Sequence, residues 1–406
     1  MKLPDAPWRA RPGMAQLLAA LGTSDGETRI VGGAIRDTLL GIEVNDVDLA
    51  TRLAPDAVIG RLKSAHIKSV PTGLAHGTVT AIVGGAPVEV TTLRRDVSTD
   101  GRRATIAYTD DWREDAARRD FTINAFYADP DTGEIFDYFG GLADLEARRV
   151  RFIGDPLTRI AEDHLRILRF FRFHARFGAG DPDTAGLEAC TQRANDLMAL
   201  SRERIADELL KLLALPDPAV TVRLMVERGI LKAVLPEITG EGVVRLEALI
   251  RRERTADVAP EPLRRLAALL PADPGLAAAL SARLRLSNKA VKRIVAAAGR
   301  QAADADRPLA LAYRVGGEEA IDRLLLGEEG DELTAEKVRR LDGYVRPRFP
   351  ISGGDLIAMG LSPGPVVAAT MQAIEREWLE GGFVLDAEEV RQLARTHVDQ
   401  ALRASQ

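Results

Sequence analysis

The sequence predicts an α+β protein, with a mixed β-sheet head at the N-terminus and an all-α assembly after it. Three observations carry this. The first ~140 residues alternate short β-branched runs with helical stretches and glycine turns. The strand signal stops at about residue 155. Beyond it, breaks rich in Pro and Gly ("GAGDPD", "LPDP", "LPEITGEG", "LPADPG", "RPRFPISGG") divide the chain into successive helices. No repeat of fixed period appears, which argues against a regular solenoid. The expected divisions are a head at 1–150 and helical segments at 151–214, 215–346 and 347–406.

Composition narrows the class. At 406 residues and 46% hydrophobic content the chain is long enough for several cores. A single cysteine, Cys190, excludes an internal disulfide, and with five histidines a structural zinc cluster is disfavoured. The stretch "MKLPDAPWRARPGM" places prolines where a signal peptide needs its apolar core, and no apolar run approaches a membrane span. A cytoplasmic protein with no membrane partner is expected. The formal charge of −5 does not announce a nucleic-acid binder. Arginines nevertheless cluster in "LRRD", "GRRA", "ARRDF" and "LRILRFFRFHARF". Solvated faces would explain any one cluster.

The elements of the head follow in order. "TRIVGG" reads as a strand ending in a diglycine, and "AIRDTLLG" as a helix closed by Gly41. Here Gly33 and Arg36 bring backbone N–H groups, a helix N-terminus and a guanidinium toward one place, a pattern suited to a triphosphate. The spacing matches neither the dinucleotide G-x-G-x-x-G nor a P-loop. "DVDLAT" reads as the next strand. Alternation puts Asp46 and Asp48 on one face and Val47 and Leu49 in the core. Two adjacent carboxylates repel unless a cation lies between them, and Mg²⁺ suits oxygen ligands; a solvated strand end is the plainer alternative. "GTVTAIV" and "PVEVTTL" are further strands. The second buries Val88 and Val90 and turns Glu89 outward, where it completes the carboxylate set if the strands are neighbours. Asp46, Asp48 and Glu89 are thus the expected catalytic groups, with Asp46 and Asp48 as metal ligands in a two-metal scheme.

"VGGAIRDTLLG" with the following "DVD" resembles the signature of the DNA polymerase β-like nucleotidyltransferases, in the branch of CCA-adding tRNA nucleotidyltransferases and bacterial poly(A) polymerases. "VEVTTLR", "EDAARRDFTINAFY", "DYFGGLADLEARRVRFIG", "EDHLRILRFFRF" and "SRERIADEL" follow in the family's order over residues 29–209. The resemblance implies a catalytic head at 1–150, a base-recognising neck at 151–214, a body at 215–346 and a tRNA-binding tail at 347–406. It also implies that Arg119, Arg169 and Arg172 contact the nucleotide, and that the partners are CTP, ATP and the acceptor and TΨC arm of tRNA. Full CCA addition, partial addition, ATP-only polymerisation and a non-catalytic RNA-binding relative stay open at this level.

Base choice has a chemical reading. Cytosine and adenine each present an amine donor beside a ring-nitrogen acceptor, and uracil and guanine present the reverse. A carboxylate only accepts and a guanidinium only donates, so Asp163 with Arg166, three apart on one helical face, complements the first pair. An amphipathic helix with a solvated arginine stripe is the plainer reading of that face. Asn124 is placed either for a ribose or phosphate contact or for a local hydrogen bond. Asp137 and Asp144 read as caps, Ser201 as an N-cap, and 94–113 as a mobile loop beside the site. "VRLEALIRRERT", "RRLAALL" and "SNKAVKRIVAAAGR" are expected to offer basic edges to RNA phosphates.

Overall fold

A computed structural model describes residues 1–99, 104–383 and 385–404, and divides the chain into two units, 1–236 and 237–406. In the first unit the β-branched runs become β1 (Thr28–Val31), β2 (Asp48–Thr51), β3 (Lys68–Gly73), β4 (Thr78–Val83), β5 (Ala86–Thr92), β6 (Arg94–Thr99), β7 (Ala104–Tyr108), β8 (Phe126–Ala128) and β9 (Ile135–Asp137). Seven of them form one mixed sheet in the order β3-β4-β5-β2-β1-β8-β9. The pair that matters most is β2 with β5. They run parallel, with Asp48 beside Glu89 and Leu49 beside Val90. Alternation along both strands buries Leu49, Val88 and Val90 and leaves Asp48 and Glu89 on the other face.

Helices α1 (Met14–Ala20), α2 (Gly33–Leu39), α3 (Pro55–Ser64), α4 (Trp112–Ala117) and α5 (Gly141–Glu146) flank this sheet. A core of Val31, Ala50, Leu93, Trp112, Ala116, Ala125, Tyr127 and Ile153 forms under β1 and β2. The chain then continues as α6 (Pro156–Glu162), α7 (Arg166–Phe177), α8 (Thr184–Gln192), α9 (Arg202–Leu213) and α10 (Ala219–Glu227). The arginine-rich α7 is amphipathic: Ile167, Leu168, Phe170, Phe171, Phe173 and Phe177 are all buried. Phe173 meets Phe121 with ring centroids 5.2 Å apart, and Phe170 stacks on Phe152 at 5.5 Å. This aromatic seam fixes α7 against the sheet domain.

The second unit is helical throughout its described residues: α11 (Gly240–Thr255), α12 (Pro262–Leu269), α13 (Pro274–Arg283), α14 (Asn288–Ala298), α15 (Pro308–Val315), α16 (Gly317–Leu325), α17 (Asp331–Arg339), α18 (Gly353–Ala358), α19 (Pro365–Glu380) and α20 (Ala387–Ala404). Asp355 and Ser352 close a capping box at α18, and the turn to α19 gives the helical hairpin expected of "ISGGDLIAMGLSPGPVV". Tyr313, Leu356, Ile374, Trp378, Val390 and Val398 make the core beneath it.

Four local expectations need correction. The segment 94–113 is not a loop: β6 and β7 pair as an antiparallel ribbon and α4 follows, with residues 100–103 outside the described range. Asp144 is not a cap. It is fully buried and accepts from Thr122 Oγ1 (2.7 Å), Arg149 Nε (2.7 Å) and Arg151 Nε (2.9 Å), whereas Asp137 does cap α5 through Gly141 and Leu142 N–H. Ser201 holds the N-cap position of α9 without a capping hydrogen bond from its side chain. "RRLAALL" offers no basic edge, because Arg264 and Arg265 are 3% and 1% exposed. Both bind Glu253, and Asp322 accepts from Arg264 and Arg293, so this charge is neutralised inside the helical core.

Candidate active site

Two backbone facts build the phosphate side of the site. Gly32 adopts φ +73°, a conformation glycine tolerates, and its N–H donates to Phe126 O at 2.9 Å. A Cβ there would stand 3.4 Å from an Arg119 Nη and 3.6 Å from Asn124 O, so the glycine lets the turn into α2 lie close beneath Arg119. The turn borders a cavity of about 410 Å³ lined by Gly32, Gly33, Arg36, Asp48, Arg119, Asp120, Asn124, Asp163, Arg166, Arg169 and Phe173. Seven of the ten residues expected at the site therefore meet in one hollow: Gly33, Arg36, Asp48, Arg119, Asp163, Arg166 and Arg169.

Each cavity arginine is held by a partner behind it. Arg36 is buried, donates through Nε to Asp37 (2.8 Å) and through Nη1 to Asn124 Oδ1, and lies 4.1 Å from the Phe177 ring centroid. Its burial lowers its pKa against the pull of Asp37. Arg119 donates to Tyr127 Oη (3.2 Å) and approaches Asp115 at 3.5 Å, and Asp115 in turn accepts from Tyr127 Oη and Arg118 Nε. Burial alone would drive Arg119 toward neutrality; Tyr127, Asp115 and Asp48 overcome that and hold its pKa above the usual arginine value. Arg169 makes two bonds to Asp120 Oδ2, at 2.7 and 2.5 Å. Despite its burial Asp120 is pulled down to about 2 by Arg169 and by hydrogen bonds from Asn124 and the Phe121 N–H.

On the carboxylate side, β2 begins at Asp48, so Asp46 precedes the strand; Val47 is nevertheless buried and Asp46 exposed, as alternation requires. Asp48 lines the cavity and reaches water, and its pKa is pushed up to about 6. Burial is the largest cause, Glu89 and Asp46 add repulsion, and Arg119 opposes them. Among the described residues no three acidic, histidine or cysteine side chains already converge on one point. The donor set still fits a hard divalent cation: all oxygen, in register across β2 and β5, and carrying repulsion that a cation relieves.

The base side differs from the sequence expectation. Asp163 and Arg166 do not share a helical face, because Asp163 ends α6 in an extended conformation (φ −152°, ψ 106°) and α7 starts at Arg166. Asp163 pairs instead with Arg204 of α9, at 3.0 and 2.8 Å. Arg166 donates to Glu162, to Arg159 O (2.7 Å) and to Arg118 O (3.0 Å). Arg172 is turned away from the cavity: its Nε meets Glu208 Oε2 at 2.5 Å, and Glu208 is buried. Sequence reasoning did not single out Asp120, Arg204 or Glu208. Each forms an ion pair across tens of residues, Asp120 with Arg169, Arg204 with Asp163 and Glu208 with Arg172, and only the diagnostic strings around them ("ARRDF", "SRERIADEL") marked their neighbourhood.

Comparison with known proteins bears on this arrangement. Residues 28–151 match a family model described as "Poly A polymerase head domain", and 181–241 one described as "Probable RNA and SrmB- binding site of polymerase A". The chain is 34% identical to the mitochondrial CCA tRNA nucleotidyltransferase 1 of Mus musculus, over 93% of this chain and 88% of that protein. It is 29% identical to the CCA-adding enzyme of Limosilactobacillus fermentum over 95% and 96% of the two. Among solved structures, the Bacillus stearothermophilus CCA-adding enzyme in complex with CTP superposes with TM-score 0.73 at 27% identity, covering 96% of this chain and all of that one. The Thermotoga maritima CCA-adding enzyme complexed with tRNA shares the fold, with TM-score 0.71 at 20% identity over 100% and 97% of the two chains.

Proposed function

From the premise that the chain belongs to the CCA tRNA nucleotidyltransferases, we infer that it adds CMP and AMP from CTP and ATP to the 3′ end of tRNA without a nucleic-acid template. The observation that carries the reading is the parallel register of Asp48 beside Glu89 at a cavity lined by Arg36, Arg119, Arg166 and Arg169. The reaction joins the tRNA 3′ oxygen to the α-phosphorus and releases pyrophosphate. It needs charge stabilisation and alignment rather than a protein nucleophile.

We assign Arg36 and Arg119 to holding the triphosphate, with Gly33 letting the phosphates approach the α2 turn; their shared lining of one cavity supports this. Asp46 and Asp48 are the groups that would hold a divalent cation, for which we propose Mg²⁺, with Glu89 completing the set or accepting the hydroxyl proton. When bound, such ions activate the attacking hydroxyl and neutralise the leaving pyrophosphate. The cavity arginines keep their orientation because Asp37, Asn124, Asp115, Tyr127 and Asp120 bind their far sides.

Base selection rests on unused hydrogen-bonding capacity. Arg166 spends three of its five N–H donors on Glu162, Arg159 O and Arg118 O, leaving two. Asp163 accepts from Leu165 N–H and twice from Arg204, leaving one lone-pair site. An amine donor beside a ring-nitrogen acceptor satisfies both; uracil or guanine leaves both unpaired. Arg169 borders this edge, and Arg172 acts through Glu208, which it shares with Arg169 at 3.7 Å.

Head, neck, body and tail at 1–150, 151–214, 215–346 and 347–406 are the functional divisions we propose, with the acceptor and TΨC arm on body and tail. No described helix is long and apolar enough to cross a membrane. Cytoplasmic residence is our reading, although the mouse relative is mitochondrial by name. The deciding assay supplies purified protein, Mg²⁺ and tRNA ending at the discriminator base with CTP, ATP or both. Two additions from CTP and then one from ATP support the reading. Long tails from ATP alone identify a poly(A) polymerase, and absence of incorporation identifies an RNA-binding relative.

A further inference from the structure

The second unit contains a cavity of about 690 Å³, larger than the active-site hollow and within the usual size of small-molecule sites. Arg245 and Arg252 reach it from α11, seven residues and thus two turns apart on one face, and Arg300 reaches it from the residue pair that follows α14. Their anchors are mostly neutral. Arg245 Nε donates to Ala268 O (3.0 Å), Arg300 Nη2 to Leu270 O (3.2 Å) and Arg252 Nη1 to Leu325 O (3.2 Å). Among the described residues only Arg252 of the three has a close carboxylate, Asp331 at 3.4 Å, and Asp331 is shared with Arg251.

The contrast with the rest of this unit is informative. Arg264, Arg265 and Arg293 are each matched to Glu253 or Asp322, and in the cavity wall Asp304 is committed to Arg323 at 2.8 and 2.9 Å. Glu329 holds Lys337. That leaves the exposed Glu328 as the remaining acid of the lining against three arginines. The buried Nη1 of Arg300 has no hydrogen-bond partner among the described residues, whereas the Nε of Arg252 has the 3.4 Å approach of Asp331. Unpaired buried donors of this kind are costly unless something fills their valence. Burial first, and then the charge of Arg245, lower the Arg300 pKa. Facing them are apolar walls from Val244, Ala248, Leu324 and Leu326.

We propose that this cavity is a second ligand site that binds a phosphate carried on an organic body, the phosphate on Arg245 and Arg300 and the body against the Val244–Ala248 wall. It lies outside the catalytic machinery and goes beyond the reaction inferred above. The occupant is a free nucleotide; a nucleotide of the tRNA backbone would only repeat the tRNA contact already proposed for the body.

Full-length wild type, Arg300→Ala, Arg245→Gln and, as control, Arg251→Ala are compared in two arms. In the first, tRNA lacking CCA is titrated at several salt concentrations. A free-nucleotide site leaves tRNA affinity and its salt slope unchanged in the cavity variants; a fall of about 5- to 20-fold with a salt slope lower by about one would make these arginines part of the tRNA contact and overturn the proposal. In the second, equilibrium dialysis of AMP with chelator counts sites. A free-nucleotide occupant gives two sites per chain in wild type and one in either cavity variant. Melting curves select whichever cavity variant stays folded, and Arg245→Gln serves if Arg300→Ala does not. Unchanged AMP stoichiometry in a folded cavity variant overturns the proposal as well. So does an equal loss in Arg251→Ala, which would make the effect one of general surface charge.

Discussion

Asp120→Asn keeps the shape of a buried side chain and removes its charge. Asp120 is 8% exposed, accepts two bonds from Arg169 and one from Asn124, and through Asn124 also orients Arg36. Folding lowers its pKa from 3.8 to about 2, because Arg169 and these hydrogen bonds outweigh burial. At 1.36 kcal/mol per decade this corresponds to about 2 kcal/mol of stability at neutral pH, a contribution of the ionised form. The direction is that of a depressed carboxylate: the stabilisation is complete above the unfolded value of 3.8 and disappears as pH falls through the folded value near 2. For a unit of 236 residues, about 2 kcal/mol is a fall of ~4–8 °C in the melting temperature. Urea unfolding at pH 7, 4 and 3 reads the first unit's transition. The variant should be weaker by about the same margin at pH 7 and 4, and the gap should narrow at pH 3. Since Arg169 and Arg36 both lose their backing, the KM for CTP and ATP should also rise, by roughly tenfold. A variant as stable as wild type at pH 7, or a gap that does not change between pH 4 and 3, would refute the assigned ion pair.

Asp48→Ala should abolish incorporation while tRNA binding persists; a fully active variant in the primer-extension assay removes the metal assignment. Asp163→Ala should relax base choice, seen as UTP or GTP incorporation, more than it weakens metal binding, and Arg204→Ala should do the same in milder form because it frees the carboxylate to turn. Unchanged selectivity in Asp163→Ala ends the base-reading role. Glu253→Gln strips the partner from two buried arginines and should cost about 3–5 kcal/mol in the second unit's unfolding transition; a loss under 1 kcal/mol would show that Arg264 and Arg265 find other acceptors.

The sheet head and the common face of Asp48 and Glu89 were legible because strand alternation has a period of two, and alternation is a local property. Val47, Leu49, Val88 and Val90 are buried, and Asp48 and Glu89 come side by side once β2 and β5 pair in parallel. The shared helical face of Asp163 and Arg166 was misjudged for an equally local reason. "EDHLRILRFFRF" has continuous helical periodicity, and nothing in that pattern signals the extended residue at Asp163 that ends α6. The true ion-pair partners of these side chains were out of reach altogether. Asp120 lies 49 residues from Arg169, Arg204 lies 41 from Asp163, and Glu208 lies 36 from Arg172. Such pairings depend on tertiary packing. The same holds in the second unit, where "RRLAALL" reads as a basic edge but its two arginines point into the core.

The two halves of the active site are mechanically one piece. Arg159 Nη2 donates to the carbonyls of Arg118 and Arg119, the latter at 2.7 Å, and Arg166 Nη2 reaches the Arg118 carbonyl at 3.0 Å. The residue proposed to read the base therefore grips the backbone that carries the residue proposed to hold the triphosphate. Glu162 joins the guanidiniums of Arg159 and Arg166, closing the link from α6 to α7. A rotation of α7 that moved the base edge would drag Arg118 and Arg119 with it or break charge-assisted bonds to half-buried carbonyls, each worth ~1.5–3 kcal/mol. A switch between cytosine and adenine is then more economical as a small turn of the Asp163 and Arg204 side chains, which involves no backbone of the head, than as a movement of the whole helix.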